Sequence, residues 1–335
     1  MTDHRKPIAV IGAGSWGTAL AIQFARTARP TLLWGHETDH IEKLKRERVN
    51  GAFLPGAKFP DALQVEPSLS RALGAATDVL IAVPSHAFRE VLKRVKPLLL
   101  PGARLCWATK GFEMDTGKLP HEVATDVLGD EIPKAMLSGP TFASEVGRGL
   151  PTAMTVASED EAFAHDIAAT ISTEQFRAYT TTDVIGVEVG AAVKNVMAIG
   201  AGICDGLGFG ANTRVALITR GLYEMTRLGL ALGARADTFM GLAGMGDLVL
   251  TCTDDQSRNR RMGLALAAGK GIEAAQREIG QVVEGVHAAR AVWEVAQRLE
   301  VDMPITEEIY RVLYENRDPK NAVAILMGRE LRREY

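Results

Sequence analysis

A lysine and an asparagine interrupt an apolar segment in the second half of the chain. Lys194 and Asn195 lie between Gly190-Ala-Ala-Val and Val-Met-Ala-Ile199, and the positions three and four residues from Lys194 carry glycine, alanine or methionine. On a helix those positions share the face of the lysine, and a buried ammonium group is costly without a partner. We expect a partly buried, functional Lys194; the alternative is a lysine on a solvated stripe.

An acid that could pair with this lysine lies in a glycine-rich segment. Asp247 belongs to Gly244-Met-Gly-Asp-Leu-Val-Leu-Thr251, and it could neutralise and orient Lys194. A helix N-cap or an Asx turn is an equally good interpretation of its spacing.

A third group of polar residues could bind an anion. Ser257-Arg-Asn-Arg-Arg261 follows Asp254-Asp-Gln256 and is predicted to start a helix that runs through Met262 to Ala268. Donor side chains beside the first free N–H groups of a helix make an anion site. The alternative is a solvated basic face.

Near the start of the chain, Gly12, Gly14 and Gly17 follow a short apolar run, Ile8–Ile11, and precede a predicted helix. In a dinucleotide-binding turn the first glycine permits the turn, the second lets the backbone approach a pyrophosphate, and the third lets helix and strand pack closely. The pyrophosphate would lie on the helix N-terminus. A plain strand–turn–helix is the alternative.

The elements around these residues indicate the fold class. Short β-rich runs alternate with helical patterns up to about residue 180, and long helical segments such as Val215–Met225 and Ala288–Leu299 follow. This order predicts a Rossmann-type, doubly wound, mostly parallel sheet followed by an all-α C-terminal domain. We expect a dinucleotide-binding domain over residues 1–182 and a helical substrate-binding and catalytic domain over 183–335. The expected strands are 8–11, 31–34, 79–83, 104–108, 135–137 and 153–156.

Ligands of such sheets bind beyond the carboxyl ends of the strands. Lys110 follows one of these ends, where it could contact a ligand or lie in a solvated loop. At the end of the second strand, His36 could meet a 2′-phosphate and Glu37 could bind a ribose hydroxyl. The sequence therefore leaves the choice between NADPH and NADH open.

Composition excludes several classes of function. The net charge of −3 over 335 residues gives no electrostatic basis for binding nucleic acid or an anionic membrane. The glycines of the first apolar stretch argue against a signal peptide, and no stretch reaches about 18 uncharged apolar residues. The three cysteines are odd in number and widely spaced, and no metal-site spacing occurs. We expect a soluble, cytoplasmic protein without a metal.

Together these motifs resemble those of bacterial NAD(P)-dependent glycerol-3-phosphate dehydrogenase, an oxidoreductase of glycerophospholipid metabolism. The resemblance spans residues 8 to about 310 and rests on Gly12-Ala-Gly-Ser-Trp-Gly17, Ala108-Thr-Lys-Gly111, Ser138-Gly-Pro-Thr-Phe-Ala143, Ala192-Val-Lys-Asn195, Gly244–Thr251, Ser257-Arg-Asn-Arg260 and Gln281-Val-Val-Glu-Gly285. His36 stands where some members of the family have arginine.

The resemblance implies reversible reduction of dihydroxyacetone phosphate by NADPH or NADH to sn-glycerol 3-phosphate, which supplies phospholipid synthesis. It assigns Lys194 and Asp247 to catalysis. It places the cofactor at Gly12, Gly14, Ser15, Trp16, Gly17, His36, Lys110, Ala143, Arg258, Val282 and Glu284. It places the substrate at Lys110, Gly139, Thr141, Lys194, Asn195, Asp247, Thr251, Ser257, Arg258 and Asn259.

Two other hypotheses are a two-domain dehydrogenase of a hydroxy acid, whose carboxylate could also use Arg258, and a non-catalytic dinucleotide sensor. A sensor would have no need of Lys194 and Asp247 beside an anion site. The sequence does not determine the oligomeric state, and a homodimer is one option.

Overall fold

The computed structural model describes residues 6–330, which form two compact units. The first unit takes the described residues up to Glu113 together with Lys118–Glu188, and the second takes Met114–Gly117 together with those from Val189 onward. The sequence analysis places a domain boundary between residues 182 and 183; the outermost residues of its two domains, 1–5 and 331–335, lie outside the described part.

An eight-stranded sheet forms the core of the first unit. The strands of this unit are β1 (Ile8–Ile11), β2 (Thr31–Trp34), β3 (Val49–Asn50), β4 (Leu54–Lys58), β5 (Leu63–Val65), β6 (Asp78–Ile81), β7 (Arg104–Trp107), β8 (Lys134–Ser138), β9 (Thr152–Ala157) and β10 (Phe176–Thr181). The strand order in the sheet is β10-β9-β8-β7-β6-β1-β2-β5, while β3 and β4 form a separate antiparallel pair. Within the large sheet, β8 pairs with β9 in antiparallel orientation, and the other neighbouring strands pair in parallel.

The helices of the first unit connect these strands. They are α1 (Ser15–Arg26), α2 (Thr38–Glu47), α3 (Leu69–Gly74), α4 (Ser85–Val95), α5 (Pro120–Leu128), α6 (Ala143–Arg148) and α7 (Glu161–Ile171), with a 3₁₀ turn at Lys96–Leu98. The chain winds outward from β1 to β5 and then returns to β6 on the other side of β1. The predicted doubly wound, mostly parallel sheet is thus confirmed, and its switch point lies between β1 and β6.

The first unit contains four strands that the sequence did not predict. All six expected strands are present: β1 and β2 have the predicted bounds, and the other four differ from them by one or two residues at an end. Strands β3, β4, β5 and β10 were not expected from the sequence. Strand β1 was expected because Ile8–Ile11 is apolar throughout, and the structure buries all four of its residues, as in central parallel strands. Strand β5 has only three residues, and β10 has three exposed positions at the sheet edge.

In the second unit every regular element among the described residues is helical, which confirms the predicted all-α part. The helices are α8 (Val184–Gly206), whose first turn belongs to the first unit, α9 (Ala211–Ala231), α10 (Ala236–Phe239), α11 (Asp247–Thr253), α12 (Arg258–Ala267), α13 (Ile272–Ile279), α14 (Glu284–Arg298), α15 (Pro304–Tyr314) and α16 (Pro319–Met327). A π-helical turn, Leu242–Gly246, leads directly into α11.

Helix α8 is the longest helix described. Asp183 caps its start, because the Asp183 Oδ1 atom accepts a hydrogen bond of 2.9 Å from the Gly186 amide. By length and composition alone α8 could cross a membrane, but 94% of its apolar stretch is buried inside the protein, as in the core helix of a soluble protein.

Candidate functional site

The glycine-rich turn joins β1 to α1 at the switch point of the sheet. Gly12 has a φ of 127°, and a β-carbon there would collide with the carbonyl group of Ala82, just beyond β6. A β-carbon at Gly17 would collide with the Gly12 carbonyl oxygen and lie 3.1 Å from the Ala82 β-carbon. Both glycines therefore let the turn, the helix and the neighbouring strand approach each other closely.

Gly14 has a different environment. It is the N-cap residue of α1, which begins at Ser15, and a β-carbon there would meet no atom within 4 Å. The open space lies at the N-terminus of a twelve-residue helix whose first turn, Ser15 to Thr18, contains no acidic side chain. This combination fits a pyrophosphate, which needs backbone N–H donors and room for close approach.

The other predicted residues of the first unit lie in loops after strands or at helix starts. Lys110 follows β7 and is half-buried. Thr141 donates a hydrogen bond of 3.2 Å to the Gly139 carbonyl, and Ala143 begins α6. His36 is exposed, with its Nε2 atom 3.6 Å from Glu37 Oε1. The imidazole of His36 is thus open to solvent and to a ligand alike.

In the second unit, Lys194 and Asp247 form a buried ion pair. The Lys194 Nζ atom lies 2.5 Å from Asp247 Oδ1, and the two residues are 5% and 1% exposed. Thr251, one turn along α11, donates to the Asp247 carbonyl oxygen at 2.5 Å. In such a pair, the attraction between the two groups offsets part of the cost of burying each of them.

A close helix contact brings this pair together. A β-carbon at Gly190 would lie 2.5 Å from the Ala243 carbonyl oxygen, so only glycine lets α8 pack against the π-helical turn that leads into Asp247. Gly190 and Lys194 are four residues apart and share a face of α8. Gly190 therefore permits the close approach of α8 to the segment that carries Asp247.

Asn195 extends this cluster with a chain of amide hydrogen bonds. Asn259 donates to the Asn195 Oδ1 atom at 2.8 Å, and the Gly285 amide donates to Asn259 Oδ1 at 2.9 Å. The Asn195 Nδ2 atom is buried and has no hydrogen-bond partner within the described residues. A buried amide donor that lacks a partner is costly, which suits a position where a ligand oxygen is bound.

The predicted anion site lies at the start of α12. Ser257 is the N-cap residue and accepts a hydrogen bond of 3.2 Å from the Arg260 amide. Arg258 donates to the Val282 carbonyl at 2.9 Å, which ties this helix start to the segment before α14. Glu284 is the first residue of α14, and the Val282 side chain is exposed.

An ion-pair cluster around Arg260, which the sequence did not reveal, holds the start of α12 in place. The guanidinium of Arg260 contacts Asp205 Oδ2 at 2.6 Å and also pairs with Asp255, while Arg214 reaches Asp205 at 2.9 Å. Arg260 is part of the basic run that the sequence shows, but its partner Asp205 is distant in the chain. No local pattern could have linked Asp205 to this run.

The chemistry available to these residues is acid–base and anion binding. In the described residues, no group of three or more His, Cys, Asp or Glu side chains could hold a metal ion. Cys106, Cys204 and Cys252 are free and buried, and burial raises the pKa of Cys204 to about 11. The second unit thus offers the amino group of Lys194, an amide donor and a guanidinium, and the first offers a turn with free space at a helix N-terminus.

Two family models cover most of the chain. Residues 7–164 match the model described as NAD-dependent glycerol-3-phosphate dehydrogenase N-terminus, and residues 183–324 match the model described as the C-terminus of the same enzyme.

Named relatives agree with these models. A protein of Escherichia fergusonii named glycerol-3-phosphate dehydrogenase, NAD(P)+, is 56% identical over 330 residues, which cover 98% of this chain and 97% of that protein. The crystal structure of glycerol-3-phosphate dehydrogenase from Coxiella burnetii is similar with a TM-score of 0.94 and 47% identity, covering 97% of this chain and 100% of that one. Glycerol-3-phosphate dehydrogenase of Saccharomyces cerevisiae has a TM-score of 0.83 and 26% identity, with 96% and 99% coverage.

Proposed function

The chain belongs to the NAD-dependent glycerol-3-phosphate dehydrogenase family, and we propose that it reduces dihydroxyacetone phosphate to sn-glycerol 3-phosphate with NADPH or NADH, reversibly. The observation that carries the proposal is the buried Lys194–Asp247 pair, which provides a fixed proton donor. We place the enzyme in the cytoplasm, where its product would serve phospholipid synthesis.

The turn between β1 and α1 is the part of the chain that would hold the cofactor. Helix α1 begins with Ser15, Trp16 and Gly17, whose backbone N–H groups would donate to a pyrophosphate. The space beside Gly14 allows the pyrophosphate to approach the backbone closely. When bound, the reduced nicotinamide supplies the hydride that the ketone carbon accepts.

Lys194 acts on the oxygen of the ketone. As the carbonyl carbon is reduced, negative charge develops on its oxygen, and the ammonium group of Lys194 stabilises that charge and donates the proton that completes the alcohol. Asp247 contacts the Lys194 Nζ atom at 2.5 Å and so holds it in place. In the reverse direction Lys194 accepts the same proton from the hydroxyl group.

The substrate phosphate would bind at the start of α12. Arg258 supplies a charged donor, and the first N–H groups of α12 point toward the helix N-terminus, where an anion is favoured. Binding energy from the phosphate then helps to orient the ketone near Lys194. The buried Nδ2 atom of Asn195 is available to a substrate oxygen.

The direct test is a product assay. The purified chain is incubated with NADPH and dihydroxyacetone phosphate, cofactor oxidation is followed by absorbance, and the product is identified as sn-glycerol 3-phosphate. The reverse reaction is run with sn-glycerol 3-phosphate and its enantiomer. Cofactor oxidation without that product, or equal use of both enantiomers, would overturn the proposal.

A further inference from the structure

A buried asparagine contacts the glycine-rich turn from a separate part of the first unit. Asn50 ends the short strand β3, which pairs with β4 outside the large sheet. It is 0% exposed. No motif of the sequence analysis includes this residue, and the proposed function gives it no role.

Both polar atoms of the Asn50 side chain have hydrogen-bond partners. Its Nδ2 atom donates to the Ala13 carbonyl oxygen at 2.9 Å and to the Thr18 hydroxyl at 2.9 Å. Its Oδ1 atom accepts from the Phe53 amide at 3.1 Å. One amide group therefore joins the β3–β4 pair to the middle of the turn and to the first turn of α1.

The contact with Ala13 fixes the peptide group at the centre of the turn. Ala13 lies between Gly12 and Gly14, so its carbonyl and the Gly14 N–H belong to one planar peptide unit. In a trans peptide these two groups point in opposite directions. By holding the carbonyl oxygen, Asn50 directs the Gly14 N–H away from β3, and glycine would otherwise let this peptide rotate.

We propose that Asn50 is a positioning residue for cofactor binding, which presets the peptide between Ala13 and Gly14 through its buried amide. The inference rests on the proposed function in that it takes the ligand of this turn to be a dinucleotide. A turn that is already ordered before binding loses less entropy when the ligand arrives.

The test measures NADPH binding directly, without a ketone substrate. Asn50→Asp keeps the shape of the side chain but cannot donate to the Ala13 carbonyl. We expect the Kd for NADPH, from quenching of intrinsic fluorescence, to rise about tenfold or more, since a buried acceptor is left without its donor. At saturating NADPH, kcat and the KM for dihydroxyacetone phosphate should stay within about twofold, because the reacting groups are untouched.

A matched control separates positioning from loss of stability. The Arg48 Nη2 atom donates to the carbonyl oxygens of Pro60 at 2.8 Å and of Leu63 at 3.1 Å, which lie between β4 and β5 and at the start of β5, not in the glycine-rich turn. Arg48→Ala should lower the melting temperature and leave the Kd for NADPH unchanged. A rise in Kd for Arg48→Ala equal to that for Asn50→Asp would overturn the proposal.

A second variant tests the role of Asn50 if Asn50→Asp does not fold. Thr18→Val removes one acceptor of Asn50 and preserves the side-chain volume. It should raise the Kd for NADPH about threefold or more, as expected for one lost buried hydrogen bond. If Asn50→Asp folds, an unchanged Kd for NADPH in that variant would refute the role of Asn50. If it does not fold, an unchanged Kd in Thr18→Val would refute it. Because binding is measured without turnover, this result does not depend on whether dihydroxyacetone phosphate is the substrate.

Discussion

The side chain of Lys194 is held in place by its pairing with Asp247. Its ammonium group and the Asp247 carboxylate are both buried and 2.5 Å apart. Taking either charge out of water costs several kcal/mol, on the order of what the pair regains by mutual attraction. The pair therefore contributes little net stability. For the reaction that we propose, what the pair contributes is a proton donor held in a fixed position.

Lys194→Ala should lower kcat by about a hundredfold or more, because the proton donor and the partner of the developing oxyanion are lost together. It also leaves Asp247 buried without its cation, so Lys194→Ala/Asp247→Ala is the control for stability. Steady-state kinetics with dihydroxyacetone phosphate and melting curves measure both effects. A folded Lys194→Ala variant with near-normal turnover at neutral pH would remove Lys194 from the mechanism.

Arg258→Ala should act on the capture of phosphate. Loss of one charge-assisted contact should reduce kcat/KM for dihydroxyacetone phosphate about ten- to hundredfold. Turnover of unphosphorylated dihydroxyacetone should hardly change, since that ketone lacks the contact already. Arg277→Ala, which removes a solvent-exposed arginine of α13, serves as the charge control. Equal losses for both ketones would show that Arg258 does not hold the phosphate.

At the scale of elements, the turn between β1 and α1 uses its glycines for two different purposes. Gly12 has a positive φ and faces the Ala82 carbonyl, whereas Gly14 faces open space with an ordinary φ of −74°. The first is required by the fold, and the second leaves room for a ligand.

This difference predicts opposite results for two alanine variants. Gly12→Ala should lower the melting temperature, because the β-carbon collides with backbone that cannot move freely. Gly14→Ala should leave the melting temperature within about 1 °C while raising the KM for NADPH about tenfold or more, since the added methyl group occupies space that the pyrophosphate needs. An unchanged KM in Gly14→Ala would place the cofactor elsewhere.

A buried carboxylate makes the start of α15 sensitive to pH. Glu224 of α9 accepts hydrogen bonds from the Ile305 amide at 2.6 Å and from the Thr306 amide at 3.1 Å. Burial raises the pKa of Glu224 from 4.5 to about 7, against the opposing effect of these donors. The folded state therefore holds this proton more tightly than the unfolded state does.

It follows that the contribution of Glu224 to stability is complete below about pH 4.5 and is lost as the pH rises through about 7. Across that window it should amount to no more than about 3.5 kcal/mol, because the pKa rises from 4.5 to about 7. Calorimetry from acidic to neutral pH should show a steeper fall in unfolding free energy for the wild type than for Glu224→Gln. Parallel curves would mean that Glu224 keeps an ordinary pKa; an overall offset between them reports only the changed capping of α15.

At the scale of the whole molecule, local patterns explain what was predictable. The strand at Ile8–Ile11, the turn at Gly12–Gly17 and the helix start at Ser257 each carry their signal in consecutive residues. The motifs on which the resemblance rests lie in both units, so they fall within the matches to both family models.

What the sequence could not predict depends on contacts between distant segments. The reversed direction of β9 against β8 follows from how the chain returns through α6, and a run of apolar residues does not specify strand direction. Asn50 and Asp205 act on residues far from them in the chain, so no spacing reveals them. The pairing of Lys194 with Asp247 was one of two interpretations until the helices were placed.

We expect this chain to reduce a phosphorylated ketone in preference to an oxo acid of similar size. The most direct measurement compares kcat/KM for dihydroxyacetone phosphate, dihydroxyacetone and pyruvate, each with saturating NADPH, in the wild type and in Arg258→Ala. We expect kcat/KM for dihydroxyacetone phosphate to exceed that for both other ketones by about a hundredfold or more in the wild type, and Arg258→Ala to remove most of this advantage. A wild-type enzyme that prefers pyruvate, or that does not distinguish the phosphorylated from the unphosphorylated ketone, would contradict this expectation.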